Sequence, residues 1–195
     1  MGQIFTADTN STIARKSLVT YVNVATAQNP SWYALGYHCD DSSISIEMDT
    51  TTNSDILGNT FTDVGIPQLS QDLDPLPITT GTQDARNAFM QRIHNLRMAG
   101  DYTRFSNAFD CLIVYLYAGN NAVNPVQYDA QRYPESTISL GDFGGSADAP
   151  LSQGITVNFG GMMQVGYVTI VDNVVTFTAV AQNALKSKKA EEKGR

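Results

Sequence analysis

Residues able to do chemistry are few in this chain. The only histidines are His38 and His94. His38 opens the run His38-Cys39-Asp40-Asp41, four potential metal ligands in a row. Consecutive residues of an extended segment point to opposite faces, so these four cannot close on one ion without a bulge. The run is read as a solvated turn ahead of a strand at Ser43. His94 has arginines nearby in sequence and reads as a surface residue. Asp142-Phe143-Gly144 spells the metal-binding tripeptide of protein kinases, but the Gly-rich phosphate loop and the His-Arg-Asp catalytic loop are missing. Nucleophile elbow, P-loop, dinucleotide fingerprint and Cys-x-x-Cys are missing as well. Asp49, Asn53 and Asp55 do not follow calcium-loop spacing. Glu47 and Glu135 are the only glutamates ahead of the C-terminal segment, and nothing singles out a catalytic carboxylate pair. No catalytic, cofactor-binding or metal-binding residue is assigned, no cofactor is expected, and the chain is not read as an enzyme.

The bulk composition points the same way. At 195 residues the chain suits one domain, and 42% hydrophobic residues suffice for a core. Only 16% are charged; Thr, Ser, Asn, Asp and Gly take up the difference, a mix that favours strands and turns. The net charge of -7 is unevenly spread. Residues 1–185 hold seven basic and seventeen acidic groups, whereas the last ten hold five basic and two acidic. An acidic body argues against gripping nucleic acid, which needs Lys and Arg against phosphate, but not against letting DNA pass. Cys39 and Cys111 are expected as reduced, partly buried thiols; whether they pair depends on the fold. No basic start followed by an apolar run opens the chain, and no apolar stretch approaches a membrane span, so a cytoplasmic origin is expected.

The elements follow from periodicity. Residues 1–16 are polar and aperiodic and read as an N-terminal arm. Residues 17–184 read as a single β domain, and 185–195 as a flexible basic tail. Strands are expected at 17–24 and 32–37. A half-buried strand is expected at 43–48, where Ile44, Ile46 and Met48 alternate with Ser43, Ser45 and Glu47. From Asp49 to Gly81 the pattern breaks, and Pro67, Pro75 and Pro77 argue against a central strand. A loop carrying Ile56, Leu57, Phe61, Val64, Ile66, Leu69, Leu73, Leu76 and Ile78 must pack on its own domain or on a neighbour. One helix is expected over 82–98, opened by a capping box at Thr80–Gln83 and stopped by Gly100, with Ala85, Phe89, Ile93 and Leu96 as its apolar stripe. Cys111–Tyr117 reads as a strand buried on both faces, 120–134 as a loop, 137–140 as a short strand and 141–150 as a loop. A meander is expected over 154–180, with tight turns at Gly160-Gly161 and Asp172-Asn173. Trp32, Tyr33, Tyr115 and Tyr117 are expected in the core rather than as a sugar-binding surface. The fold class is mainly β: an antiparallel sandwich or partly closed barrel with one flanking helix and a long loop.

This arrangement resembles the major tail (tail tube) proteins of long-tailed bacteriophages. The segments that carry the resemblance are Trp32-Tyr-Ala-Leu-Gly36, Ile44-Ser-Ile-Glu-Met48 and Thr52-Asn-Ser-Asp-Ile-Leu-Gly-Asn-Thr60. The mid-chain helix and the closing meander add to it. The resemblance implies a virion structural subunit that polymerises as stacked hexameric rings around an acidic channel. It implies the 49–81 segment as an inter-ring contact through Ile56, Leu57 and Phe61; Ser43, Ser45 and Glu47 are read as a channel-lining face, with bulk solvent outside the ring as the competing place for that polar face. The implied partners are further copies of the chain and other tail proteins (tape measure, terminator and distal tail proteins). DNA would be non-adhering cargo, and no membrane partner is implied. Assembly would take place in a bacterial cytoplasm. Two alternatives stay open: another ring-forming virion or secretion-tube protein, and a β-sandwich ligand-binding module.

Overall fold

The structure is a computed structural model that describes residues 17–35, 42–77, 85–148 and 151–180; for 74–77 and 85–88 only the backbone is described. The N-terminal arm, His38, Cys39, the Thr80–Gln83 cap and the basic tail lie outside the described residues.

Nine strands form one hydrogen-bonded system that folds on itself. Its centre is β7 (Phe109–Asn120), where the continuous apolar run sends side chains to both faces. Phe109, Cys111 and Ile113 point one way and Leu112 and Val114 the other, all fully buried. On one side β7 pairs with β1 (Leu18–Asn23), which pairs with β2 (Trp32–Leu35). On the other it pairs with β8 (Gln127–Gly144), which is eighteen residues long. The first half of β8 also pairs with β10 (Gln164–Val171), which pairs with β11 (Val174–Ala179). The second half pairs instead with β9 (Ser152–Phe159), followed by β6 (Gln68–Pro77) and β3 (Ser42–Glu47). Two wings result, sharing β8: β2-β1-β7-β8-β10-β11 and β8-β9-β6-β3.

The inner faces of the wings pack on each other. One core cluster joins Val22, Phe109 and Cys111 of the first wing to Leu73, Ile138, Ile155 and Val157 of the second. Across this layer Thr20 Oγ1 donates to Gln71 Oε1 at 2.6 Å, and Gln71 Nε2 donates to Ser42 Oγ at 2.7 Å, so the buried amide is satisfied at both ends. The helix α1 (Ala85–Met98) adds Phe89 and Ile93 to this cluster, as its stripe predicts. Gly100 ends it with φ +65; Gly100 N donates to Arg97 O and Asp101 N to Leu96 O, the paired bonds of a glycine C-cap. A short 3-10 helix, Tyr102–Phe105, leads back to β7 and stacks Phe105 on Phe109.

The opposite face of the first wing curls around a second cluster: Leu112, Val114, Ala130, Val168 and Val175. Arg132 ties it together, donating to both oxygens of Asp110 at 2.9 and 2.7 Å. Its guanidinium lies 5.8 Å from the Trp32 ring and 6.0 Å from the Phe177 ring, which belong to the two outermost strands of that wing. Phe177 reaches in because Gly166 has no side chain: a Cβ there would meet the ring at 2.8 Å.

Four expectations from the sequence change here. Gly160-Gly161 is not a tight turn, because β9 and β10 do not pair with each other. Thr137↔Asn158 and Arg132↔Gln164 keep nearly one register, so β9 and β10 are successive stretches against the same edge of β8. The glycines allow the backbone to kink there: a Cβ on Gly160 would meet Glu135 O at 2.6 Å, and Gly161 has φ +81. Residues 127–134 and 141–144, read as loop, are strand, because β8 finds partners along its whole length. Within β8, Pro134 lies where the strand passes from one wing to the other and no ladder bond is required of it. The segment 49–81 is not a plain loop: it holds a hairpin, β4 (Thr50–Ser54) and β5 (Thr60–Val64), followed by β6. Its prolines avoid the ladder: Pro67 precedes β6, Pro75 sits in the register shift between Leu73 and Leu76, and Pro77 ends the strand. Ile46 of β3 and Met48 just beyond its end are not half-buried but 61% and 55% exposed, since no described element covers that end of the inner face. The Asp172-Asn173 turn is as expected, with both residues at positive φ.

Phe109 joins α1, the 3-10 helix and both wings, so Phe109→Ala should destabilise the fold by about 3–5 kcal/mol in chemical denaturation. Burial pushes the Cys111 thiol up to about 12. The unfolded chain ionises this thiol from lower pH, so the contribution is complete below pH 9.0 and declines above it. Cys111 should resist thiol reagents at pH 8 until the protein is unfolded.

Candidate assembly surfaces

Two surfaces stand out, and both grow from the second wing. The first is the β4–β5 hairpin. Threonine makes up half of its two short strands, a β-branched residue that favours extended backbone without demanding burial. Asp55 organises its tip: one carboxylate oxygen accepts from Leu57 N and Asn59 N, both at 2.9 Å, and the other from Asn59 Nδ2 at 3.0 Å. These bonds hold the Asp55 carboxyl below the usual aspartate value, with the Asn59 side chain the largest cause. Gly58, at φ +82, closes the turn. The base is closed by Gly65 N donating to Asp49 O at 2.7 Å.

What this ordered hairpin displays is apolar. Ile56 is 103% and Leu57 82% exposed. Phe61, Val64 and Ile66 along the same segment are exposed too. With Ile46 and Met48 before it, the segment 46–66 leaves seven large apolar side chains exposed among the described residues, and apolar surface left in water in such amount marks an interaction site. Ile56 and Leu57 lie together at the tip, and Phe61 lies on β5 opposite Asn53.

The second surface is the outer face of the second wing. Ser43, Ser45 and Glu47 project there from β3, opposite Asp72, Ser70 and Gln68 of β6. The pairing continues Asp72↔Thr156 and Ser70↔Asn158 to β9, then to Ser139 and Thr137 of β8. Thr156 Oγ1 donates to Asp72 Oδ1 at 2.7 Å, and Asn158 Nδ2 donates to Ser139 Oγ at 3.2 Å. Across four strands these positions carry Ser, Thr, Asn, Gln and two carboxylates, with no cation and no aliphatic side chain. Ser43, Ser45 and Glu47 are thus one edge of a wider polar face. The place of Asp72, Ser70, Thr156 and Ser139 in this face depends on β6, a strand that its prolines hide in the local pattern; the alternation of Leu69, Gln71 and Leu73 is its only signal, blurred by the buried glutamine.

Other candidates dissolve. His94 is exposed on α1. Asp142-Phe143-Gly144 ends β8, where Arg97 lies 4.2 Å over Phe143 and also donates to Gln153 Oε1. Among the described residues no group of three His, Cys, Asp or Glu could hold a metal, and no helix is long and apolar enough to cross a membrane. Trp32 and Tyr33 pack against the two core clusters.

No protein-family model matches the chain, and no curated protein matches it. Among solved structures, it is similar to the sheath/tube terminator of an extracellular contractile injection system, at 13% identity and TM-score 0.43, covering 80% of this chain and 98% of that one. It is similar also to a chain of the sheath–tube complex of such a system, at 14% identity and TM-score 0.41, covering 88% and 95%. A third is the tube-terminating cap of the anti-feeding prophage, at 14% identity and TM-score 0.45, covering 90% and 100%. Likeness at this level is a partial correspondence of shape.

The order of the hairpin tip depends on an ionised Asp55. Because its folded value is lowered, the carboxylate's contribution is present above the ordinary aspartate value of 3.8 and is lost as pH falls through the lower folded value. In an NMR titration the Leu57 and Asn59 amide shifts should move together, with a midpoint below 3.8.

Proposed function

We propose that the chain is a non-catalytic structural subunit of a tail-like tube, which polymerises with copies of itself. The observation that carries this reading is the hairpin: local hydrogen bonds order it, yet among the described residues nothing covers its apolar tip. Burying Ile56 and Leu57 against a neighbour would contribute about 1.5–3 kcal/mol for each side chain, enough to matter when repeated at every contact. β11 adds to the reading, since it pairs with β10 on one side and with no described strand on the other, an edge suited to strand pairing between copies.

In the finer form of the proposal the copies form hexameric rings that stack. Ile56, Leu57 and Phe61 pack on the adjacent ring. Ser43, Ser45 and Glu47, with Asp72, line the channel, where carboxylates and hydroxyls without cations let DNA pass without adhering. The tube would form part of a virion, assembled in a bacterial cytoplasm, and meet tape measure, terminator and distal tail proteins at its ends.

Ile56→Asp combined with Leu57→Asp should leave a folded subunit, judged by an unchanged thermal midpoint, that forms no filaments in negative-stain electron microscopy. Ordinary filaments from that variant would refute the hairpin contact; single closed rings from the wild-type chain would refute a tube. Glu47→Lys with Asp72→Lys should still assemble but should retain DNA in a salt-sensitive way that the wild-type tube does not.

A further inference from the structure

The basic residues of this acidic body are concentrated in one stretch of sequence. Of the seven Lys and Arg in residues 1–185, four (Arg86, Arg92, Arg97 and Arg104) fall within 86–104. Two of them, Arg92 and Arg104, line an open groove of about 410 Å³ between α1 and the 3-10 helix. Leu96 and Ala99 supply its apolar lining. Gln91 and Asn95 supply a hydrogen-bonded amide pair. Arg92 is fixed in place: Nη2 donates to Ala108 O at 2.8 Å, and the guanidinium lies 4.2 Å over the Phe109 ring. Burial and the charge of Arg104 both act against its charged form. One carboxylate, Asp101, lies in the groove, 3.8 Å from Arg104 Nε. Two arginines against one half-buried carboxylate leave room for further negative charge.

The complementary surface is on the same chain. Residues 47–66 carry Glu47, Asp49, Asp55 and Asp63 and no Lys or Arg, and they project Ile56 and Leu57 from an ordered tip. We propose that the groove between α1 and the 3-10 helix receives the hairpin tip of a second copy of this chain. Ile56 and Leu57 pack on Leu96 and Ala99, and the hairpin carboxylates sit against Arg92 and Arg104. Donor and receiver are different surfaces of one chain, so the contact is heterologous: each copy inserts one hairpin, accepts another, and the series propagates. Opposite charge on the two surfaces sets the register of docking and speeds encounter. This inference rests on the tube reading and names the surface that the hairpin meets.

The test uses the full-length chain on a Cys39→Ser background; Cys111 is buried and takes no part. An Ile56→Cys variant mixed with an Ala99→Cys variant under mild oxidation should give a disulfide-linked dimer of the two, absent when either is oxidised alone. Separately, Arg104→Glu should raise the concentration needed for assembly by about tenfold, and adding Asp63→Arg to the same chain should restore it. Arg92 is left intact because it supports Phe109. If the wild-type chain forms filaments and the tip variant does not, yet no cross-link forms and Arg104→Glu assembles normally, the groove assignment is overturned and the tube reading stands. If wild type and variants alike stay monomeric without cross-linking, both are overturned.

Discussion

A single strand carries the architecture. β8 belongs to both wings, so the passage between them is made of paired backbone rather than a free linker. Its first half hydrogen-bonds to β7 and β10, and its second half to β9. The change of partner falls on Tyr133–Ser136, where Pro134 has no N–H to lose and Ser136 Oγ donates back to Tyr133 O at 3.0 Å. Opposite it, Gly160 and Gly161 let the neighbouring strand approach and kink. The core between the wings depends on that bend, because it brings Ile138, Ile155 and Val157 over Phe109 and Cys111.

With the wings set, the chemistry of each face follows. The inner faces are apolar and closed by α1, and the buried Gln71 is satisfied from both sides. The outer face of the second wing is polar from β3 to β8. The hairpin leaving that wing is held by Asp55 instead of by a core. Order without burial is the unusual combination here: a flexible apolar loop could collapse onto its own domain, whereas a closed hairpin keeps Ile56 and Leu57 outward. The groove beside α1 holds two arginines to one carboxylate, so its charge is opposite to that of the hairpin.

Much of the fold was legible in local pattern. The double-sided burial of β7 followed from an unbroken apolar run, the helix face from Phe89 and Ile93 at helical spacing, and the last turn from Asp172-Asn173. The errors share a cause. Gly-Gly and proline are local signals, and they were read without the partner strand that decides whether a kink is a turn or a passing bend. Pro75 in β6 and Pro134 in β8 sit at positions where the ladder is already interrupted, which no local pattern reveals. Ile56, Leu57 and Phe61 were legible as apolar residues in a polar, turn-rich segment; that they stand on an ordered hairpin was not.

The sequence by itself determined the β class, the single helix, the acidic body with its basic C-terminal end, and the scarcity of catalytic groups, because composition and periodicity act residue by residue. Only the tertiary structure decided that β9 and β10 share one edge of β8, that ten scattered polar residues from four strands form one face, and that the apolar hairpin is covered by none of the described residues. Those facts depend on register between segments far apart in the chain, and register is set by the collective packing of the core, not by any segment's own preference.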